Sequence, residues 1–347
     1  MPGERMIFKF LKYFLATILL YTLICVATPF NKTLRVRSIK NQIHYLSAIM
    51  DKGYDDLLQH QFPEGKVFSN ALLALSIIEY SEKYGIENEK DADIVDRCIQ
   101  RIQSTSTLNK FDEHLNPKYG IFLNGWTNFL YSKYLESELF KHSSIREKIV
   151  QHGSKIEFNI NTALQDSIRP LETYVDAYWP ADNFVAAASM RDTIHRANWL
   201  KHLQSLSRHE SHLLHHAGSN PSEIRGSSNA MITYCLHVMG NTGANSYNAN
   251  FKSIFIDGFL GIELVKENAD GSDKMDVDSG PVFLGYGASA TIMNIKTQAE
   301  FNDFNARYTW ASLNFIGLPV NVFKHKYYLF KKEPMFDLFM LWAGVSL

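Results

Sequence analysis

The chain has 347 residues, which is enough for one large domain or two ordinary ones. Its 35 lysines and arginines nearly balance 36 acidic residues, and the net charge of -1 argues against a nucleic-acid partner held by bulk electrostatics. Three cysteines are too few for a disulfide framework or a cysteine-built zinc site.

The N-terminal segment is the first predicted element. Residues 13–30 are apolar and uncharged, and three basic residues precede them: Arg5, Lys9 and Lys12. This pattern is typical of a signal peptide or a signal anchor. Residues 25–27 make a poor cleavage site, so we expect residues 1–30 to attach the chain to the membrane and residues 31–347 to form one domain. We expect that domain on the periplasmic or extracellular side, or secreted if the segment is cleaved.

A repeat then follows along the whole domain. Six times, a short polar loop containing Gly or Pro runs into an apolar segment, and the loops are marked by Pro63, Gly120, Pro180, Gly226, Pro281 and Pro334. The spacings are 57, 60, 46, 55 and 53 residues, and each holds two helices and two loops. The repeat therefore predicts six helical hairpins, which can close into an all-α (α/α)6 toroid around one cavity.

The hairpins divide into two sets of helices. Charged residues on one side predict outer helices at Lys40–Met50, Asp91–Ser104, Ser144–Leu164, Thr193–Leu206, Ser246–Phe259 and Ala299–Phe315. Fewer charges and more small residues predict inner helices at Val67–Tyr84, Ile121–Phe140, Asp182–Arg191, Ser227–Met239, Val282–Lys296 and Met335–Val345. The last is apolar but too short to span a bilayer, so we expect it to be buried. Residues 320–323 and 327–330 predict one short β-hairpin.

Carboxylates on the loops before the inner helices are the candidate catalytic groups. If these helices begin at one face, Asp182, Asp276 and Asp278 lie near one another, as acid/base chemistry requires. The alternative is helix capping, in which the same side chains satisfy free backbone N–H groups. A calcium loop is a third interpretation of residues 270–278, but their spacing differs from that of an EF-hand. We expect no metal and no cofactor.

Candidate binding residues accompany the carboxylates. Arg225 stands before a predicted helix, where it and His216 can hold a carboxylate, hydroxyls or a phosphate. The alternative is an ion pair of Arg225 with Glu223 or another acid that ties two loops together. Aromatic residues at the same junctions suit sugar faces, an apolar terpene-like substrate or a plain core: Trp126, Tyr178, Trp179 and Tyr286.

Three of these segments together resemble a bacterial membrane-associated family of (α/α)6-toroid proteins. The segments are YWPADNFV (178–185), RGSSN (225–229) and DVDSGPVFLG (276–285). The family is related to the linalool dehydratase/isomerase domain and, more distantly, to six-hairpin glycosidases. The resemblance spans roughly residues 110–345 and implies the toroid and an acidic site at its mouth. The context of Cys98 and Cys235 does not match the catalytic cysteines of the dehydratase, which argues against terpene dehydration.

The leading hypothesis is therefore an envelope enzyme that acts on a carbohydrate or related polyhydroxylated small molecule or glycan. Asp182 is the predicted acid or base, Asp278 or Asp276 its partner, and Arg225 and His216 position the substrate. A dehydratase-like lyase acting on an apolar alcohol is one alternative, and a non-catalytic binding or scaffold module of the envelope is another. The sequence leaves a homo-oligomer open.

Overall fold

The chain folds mainly into helices, as its apolar periodicity predicts. The computed structural model describes residues 2–86, 88–166, 170–205, 211–220, 222–276, 279–329 and 334–347. Its helices are α1 Pro2–Ala27, α2 Lys32–Met50, α3 Tyr54–Gln61, α4 Gly65–Tyr84, α5 Glu89–Ile102, α6 Thr105–Leu108, α7 Gly120–Glu136, α8 Arg146–Asp166, α9 Pro180–Ser189, α10 Thr193–Ser205, α11 Gly226–Val238, α12 Ala244–Phe255, α13 Ala288–Glu300, α14 Asn305–Ile316 and α15 Met335–Ser346. A 3-10 turn follows α7 at Glu138–Phe140.

Six helices contact one another in a closed cycle. Helix α4 packs on α7, α7 on α9, α9 on α11, α11 on α13, α13 on α15, and α15 again on α4. We call these six the helix ring. Helices α2, α5, α8, α10, α12 and α14 pack against its outside. The ring helices carry few charges and lie almost entirely in the core, which is why they form the inner layer.

Contacts between the ends of the ring helices show that the helices they join are parallel to one another. Before α9, Tyr174 donates a hydrogen bond to Glu64, which precedes α4. Before α11, Arg225 contacts Asp276, which precedes α13. At the other end, Lys296 of α13 meets the C-terminal parts of α4 and α15. We therefore distinguish an N-terminal end of the ring from a C-terminal end.

The interior of the ring is filled with aromatic side chains. The rings of Trp126 and Trp342 lie 6.2 Å apart, Tyr234 lies 5.4 Å from Trp342, and Phe68 lies 4.9 Å from Trp126. All but Phe68 are buried. These aromatic side chains therefore pack against one another across the interior of the ring.

Three short antiparallel hairpins interrupt the helical pattern. They pair β1 Ile256–Phe259 with β2 Ile262–Val265, β3 Val282–Phe283 with β4 Tyr286–Gly287, and β5 Pro319–Val322 with β6 His325–Tyr328. The last of these confirms the predicted hairpin.

The other two hairpins correct the predicted helices. Helix α13 begins at Ala288 and not at Val282, because Leu284 and Gly285 adopt positive φ angles of 52° and 81° and form a tight turn. Gly285 thus lies in a turn and not in the predicted inner helix. Likewise, α12 ends at Phe255, and residues 256–259 form a strand that the sequence assigned to the helix. The last predicted outer helix, Ala299–Phe315, also starts later: residues 299–300 belong to the end of α13, and α14 begins at Asn305.

The two apolar terminal helices differ in burial. Helix α15 is buried between α4 and α13, as predicted. Helix α1 contains Phe8–Ala27, which by length and composition can cross a membrane, and almost all of this stretch is exposed. Such a helix fits a membrane anchor or a signal peptide.

Candidate functional site

A small pocket lies at the N-terminal end of the ring, where the segments preceding α9, α11 and α13 meet. Its volume is about 230 Å³, and it is lined by Trp179, His216, Ala217, Ser219, Asn220, Glu223, Arg225 and Asp276. Five of the residues predicted from the sequence are in that set: Trp179, His216, Glu223, Arg225 and Asp276. The fold thus brings together side chains that are up to about 100 residues apart in sequence, and we call this the Arg225 pocket.

The loop before α11 is held in place by backbone contacts. The His216 N–H donates to the Glu223 carbonyl at 2.7 Å, and the Gly218 N–H donates to the Tyr178 carbonyl at 3.0 Å. Gly226 begins α11 and donates its N–H to the Glu267 carbonyl at 2.8 Å. A Cβ at position 226 would clash with the Lys266 carbonyl, so only glycine lets α11 start this close to the strand.

Arg225 joins two carboxylates across the pocket. Its Nε donates to Glu223 Oε1 at 2.5 Å, and its Nη1 donates to Asp276 Oδ2. Burial alone would raise the pKa of Asp276, but hydrogen bonds from Arg225 and from the Ser279 amide outweigh it and leave that pKa below its ordinary value. Asp276 is therefore an ionised hydrogen-bond acceptor at neutral pH.

His216 provides a neutral imidazole in the same pocket. Its Nδ1 lies 2.6 Å from Ser228 Oγ. Burial, with a further contribution from the positive charge of Arg225, lowers the pKa of His216 to about 4. At neutral pH the ring is uncharged, so one of its nitrogens donates a hydrogen bond and the other accepts one.

The structure adds a carboxyl group that the sequence did not single out. Glu267 is fully buried beside the start of α11, and its Oε1 accepts a hydrogen bond from Ser227 Oγ at 2.6 Å. Its Oε2 has no hydrogen-bond partner among the described residues. Burial raises the pKa of Glu267 to about 7, although the Ser227 bond and Arg225 oppose that effect. A protonated carboxyl group thus lies near the ionised Asp276.

This burial has a consequence for stability that can be measured. Because the pKa of Glu267 rises on folding, the folded state binds the proton more tightly, and stability falls as pH increases from about 4.5 to about 7. This rise in the pKa of Glu267 corresponds to a loss of about 3 kcal/mol in the free energy of unfolding by pH 8. Between pH 5 and 8, we expect the free energy of unfolding of the wild type to fall by up to this amount relative to that of Glu267→Gln, measured by urea unfolding. Parallel pH profiles for the two proteins would contradict this assignment.

The other predicted site residues lie outside the Arg225 pocket or outside the described residues. Asp182, in the first turn of α9, accepts a hydrogen bond from Thr173 Oγ1 at 2.6 Å. Tyr178 Oη lies 3.5 Å from His215 Nε2, and Tyr286 Oη donates to Asp257 Oδ2 at 2.9 Å. Trp126 lies in the aromatic interior of the ring. Asp278 falls outside the residues that the structure describes.

A second cavity of about 260 Å³ lies beside α11 and α12. It is lined by Phe184, His212, Leu214, Leu236, Gly243, Ser246, Tyr247 and Asn250. It contains no carboxylate among these residues, so the chemistry of the Arg225 pocket is absent there. Across the described residues, no group of three or more His, Cys, Asp or Glu side chains is arranged to hold a metal ion.

Comparison with known proteins adds no assignment: no family model matches the chain, and no curated protein matches it.

Proposed function

We propose that this protein is an (α/α)6 toroid whose N-terminal end carries the site of an envelope-associated acid/base enzyme. The closed cycle of six helices, with a second helix outside each, supports the toroid. The resemblance of three sequence segments to the membrane-associated toroid family supports the same architecture. Two of those segments, 178–185 and 225–229, together with Asp276 of the third, contribute to the Arg225 pocket.

The observation that carries the proposal is the opposite displacement of two carboxyl pKa values. Hydrogen bonds from Arg225 keep Asp276 ionised, whereas burial keeps Glu267 protonated up to about pH 7. Acid/base catalysis requires one group that accepts a proton and another that retains one. In this proposal Asp276 is the base. Glu267 lies outside the pocket lining, where its carboxyl group accepts a hydrogen bond from the Ser227 hydroxyl and holds a proton up to about pH 7. Asp278 stays a predicted partner.

The remaining groups favour a polyhydroxylated substrate. Trp179 offers an aromatic face on which a sugar ring can stack, and Asn220, Ser219 and the neutral His216 offer hydrogen-bond partners. The pocket volume of about 230 Å³ is below the range of about 300–1,000 Å³ common for ligand sites. The pocket therefore suits one sugar-sized group rather than an extended oligosaccharide.

The experiment is a turnover screen of the full chain in detergent on glycans, polyols and terpenols. We expect turnover of a polyhydroxylated compound and at least about a 10²-fold loss of kcat in Asp276→Asn. Asp270→Asn is the matched control, because Asp270 is an exposed carboxylate on the same loop that only caps the Ser272 amide. Equal turnover by the two variants would contradict a catalytic Asp276, and turnover of a terpenol alone would favour the lyase alternative.

A non-catalytic envelope binding module is the second candidate. It is favoured by one observation, the engagement of Arg225 with both Glu223 and Asp276. A structural ion-pair network has this form. In that case Asp276→Asn lowers the melting temperature, and no compound in the screen is turned over.

A further inference from the structure

The direction of α1 relative to the rest of the molecule follows from its contacts with α14. The ring of Tyr21 lies 6.1 Å from that of Phe315, near the end of α14. The ring of Phe30, just after α1, lies 5.6 Å from Phe304 and 5.2 Å from Tyr308, at the beginning of α14. The two helices are therefore antiparallel. The 13 residues Phe8–Leu20 extend past the C-terminus of α14 by about 20 Å, at about 1.5 Å per residue.

The C-terminus of α14 lies at the same end of the molecule as the Arg225 pocket. Gly317, directly after α14, lies against Phe336 in the first turn of α15. Earlier in α14, Trp310 Nε1 donates to the Met340 carbonyl at 3.1 Å, which shows that α14 and α15 are antiparallel. Since α15 begins at the N-terminal end of the ring, the free part of α1 leaves the molecule from the pocket end.

The loops at the pocket end expose apolar side chains. They belong to the segments that precede α9, α13 and α15 and to the last residue of α14: Val175, Met275, Phe283, Leu284, Leu318 and Ile316. Among the described residues of the loops at the opposite end (residues 85–88, 137–145, 190–192, 239–243 and 301–304), Phe304 is the one large apolar side chain that is exposed. It packs against Phe30. Ile194, in the first turn of α10, is also exposed at the opposite end, but more of the exposed apolar side chains lie on the end from which α1 departs.

We propose that the pocket end of the ring lies on the bilayer into which α1 inserts, and that the substrate is the polyhydroxylated headgroup of a membrane lipid. The substrate part rests on the proposed function, whereas the orientation does not. Met275 is adjacent to Asp276, and Phe283 and Leu284 form the tip of the hairpin before α13. Apolar side chains at these positions enter the headgroup region and bring the Arg225 pocket to the membrane surface.

The orientation is tested with environment-sensitive fluorophores on single added cysteines. Phe283→Cys and Met275→Cys report the pocket end. Ile194→Cys is the matched control, because Ile194 begins α10 at the opposite end and is 73% exposed, against 75% for Phe283. The three native cysteines are buried and stay unlabelled. The full chain is reconstituted in phosphatidylcholine nanodiscs with or without a nitroxide-labelled phosphatidylcholine.

We expect the nitroxide lipid to quench the fluorophores at 283 and 275 at least threefold more than the one at 194. Equal quenching at the two ends, stronger quenching at 194, or removal of residues 1–27 from the mature protein as seen by its mass would overturn the orientation. The substrate part is tested by turnover of a glycolipid in vesicles against its soluble headgroup, and faster turnover of the soluble form would overturn it. Asymmetric quenching without any turnover would leave the orientation standing and reject the proposed function.

Discussion

Replacing Arg225 with alanine is expected to cause the largest loss of activity of any single substitution in the pocket. Arg225 donates to Glu223 and Asp276, and it helps to lower the pKa of Asp276. Its removal frees the segment before α13 and leaves Asp276 without the hydrogen bond that fixes its position. Since misplacing a reacting group by about 1 Å costs about 10²-fold, we expect kcat/KM to fall by about 10³-fold or more, measured on the substrate that the screen identifies. Lost hydrogen bonds to charged groups also predict a decrease of about 1.5–3 kcal/mol in unfolding free energy.

Two variants separate a role in the pocket from the loss of one positive charge. Arg191→Ala removes an arginine that also pairs with a carboxylate, that of Glu157. This pair lies just after the C-terminal end of α9, away from the pocket. We expect Arg191→Ala to leave activity unchanged. Arg225→Lys keeps the charge but cannot reproduce two directed hydrogen bonds to separate carboxylates, so it should recover stability more than activity. Full activity in Arg225→Lys would show that charge alone suffices.

The largest loss of stability is expected at the C-terminal end of the ring, for Lys296→Met. The Lys296 side chain is 1% exposed, and its Nζ lies 2.5 Å from Glu79 Oε2, 3.4 Å from Glu300 Oε1 and 2.6 Å from Ser346 Oγ. The ammonium group also lies over the rings of Tyr234 and Trp342. Removing one member of a buried ion pair leaves its partners uncompensated and costs about 3–5 kcal/mol. Chemical denaturation of the full chain in detergent measures this change.

Lys252→Met is the matched control for that prediction. Lys252 likewise contacts two carboxylates, Glu263 at 3.2 Å and Asp303 at 2.5 Å, but its side chain is 30% exposed. Because the Lys252 side chain is partly exposed and Glu263 keeps hydrogen bonds from Asn294 and Asn305, we expect a loss of about 1 kcal/mol or less. The double variant Lys296→Met with Glu79→Gln should regain part of the stability, because it also removes one stranded charge. Equal losses at Lys296 and Lys252 would exclude burial as the cause.

Much of the helical pattern could be predicted from local signals. Helices α4, α7, α9, α11 and α15 begin within two residues of the predicted starts, because Gly and Pro mark where an apolar periodic segment can begin. The same signals failed before α13. There Leu284 and Gly285 form the turn of a hairpin. The pairing of β3 with β4 depends on contacts that helical periodicity does not reveal.

The loops that line the Arg225 pocket could be predicted from the sequence, whereas the buried carboxyl group beside it could not. Arg225 and Asp276 stood out because each precedes a predicted ring helix, and helices that start at one end bring such loops together. Glu267 did not stand out, since it follows β2, a short strand that the sequence analysis did not predict. The sequence left Trp126 open as a binding residue or a core residue, and it lies in the aromatic interior of the ring.

The sequence by itself determined the mostly helical class, the apolar N-terminal helix and the positions of the loops that carry charged and aromatic residues. These features depend on composition and on periodicity within short segments of chain. Only the tertiary structure decided that Arg225 bridges Glu223 and Asp276, that Glu267 is buried with a raised pKa, and that α1 leaves from the pocket end. Burial, ion pairing and helix direction arise from contacts between distant segments, and no local pattern encodes the dielectric environment that those contacts create.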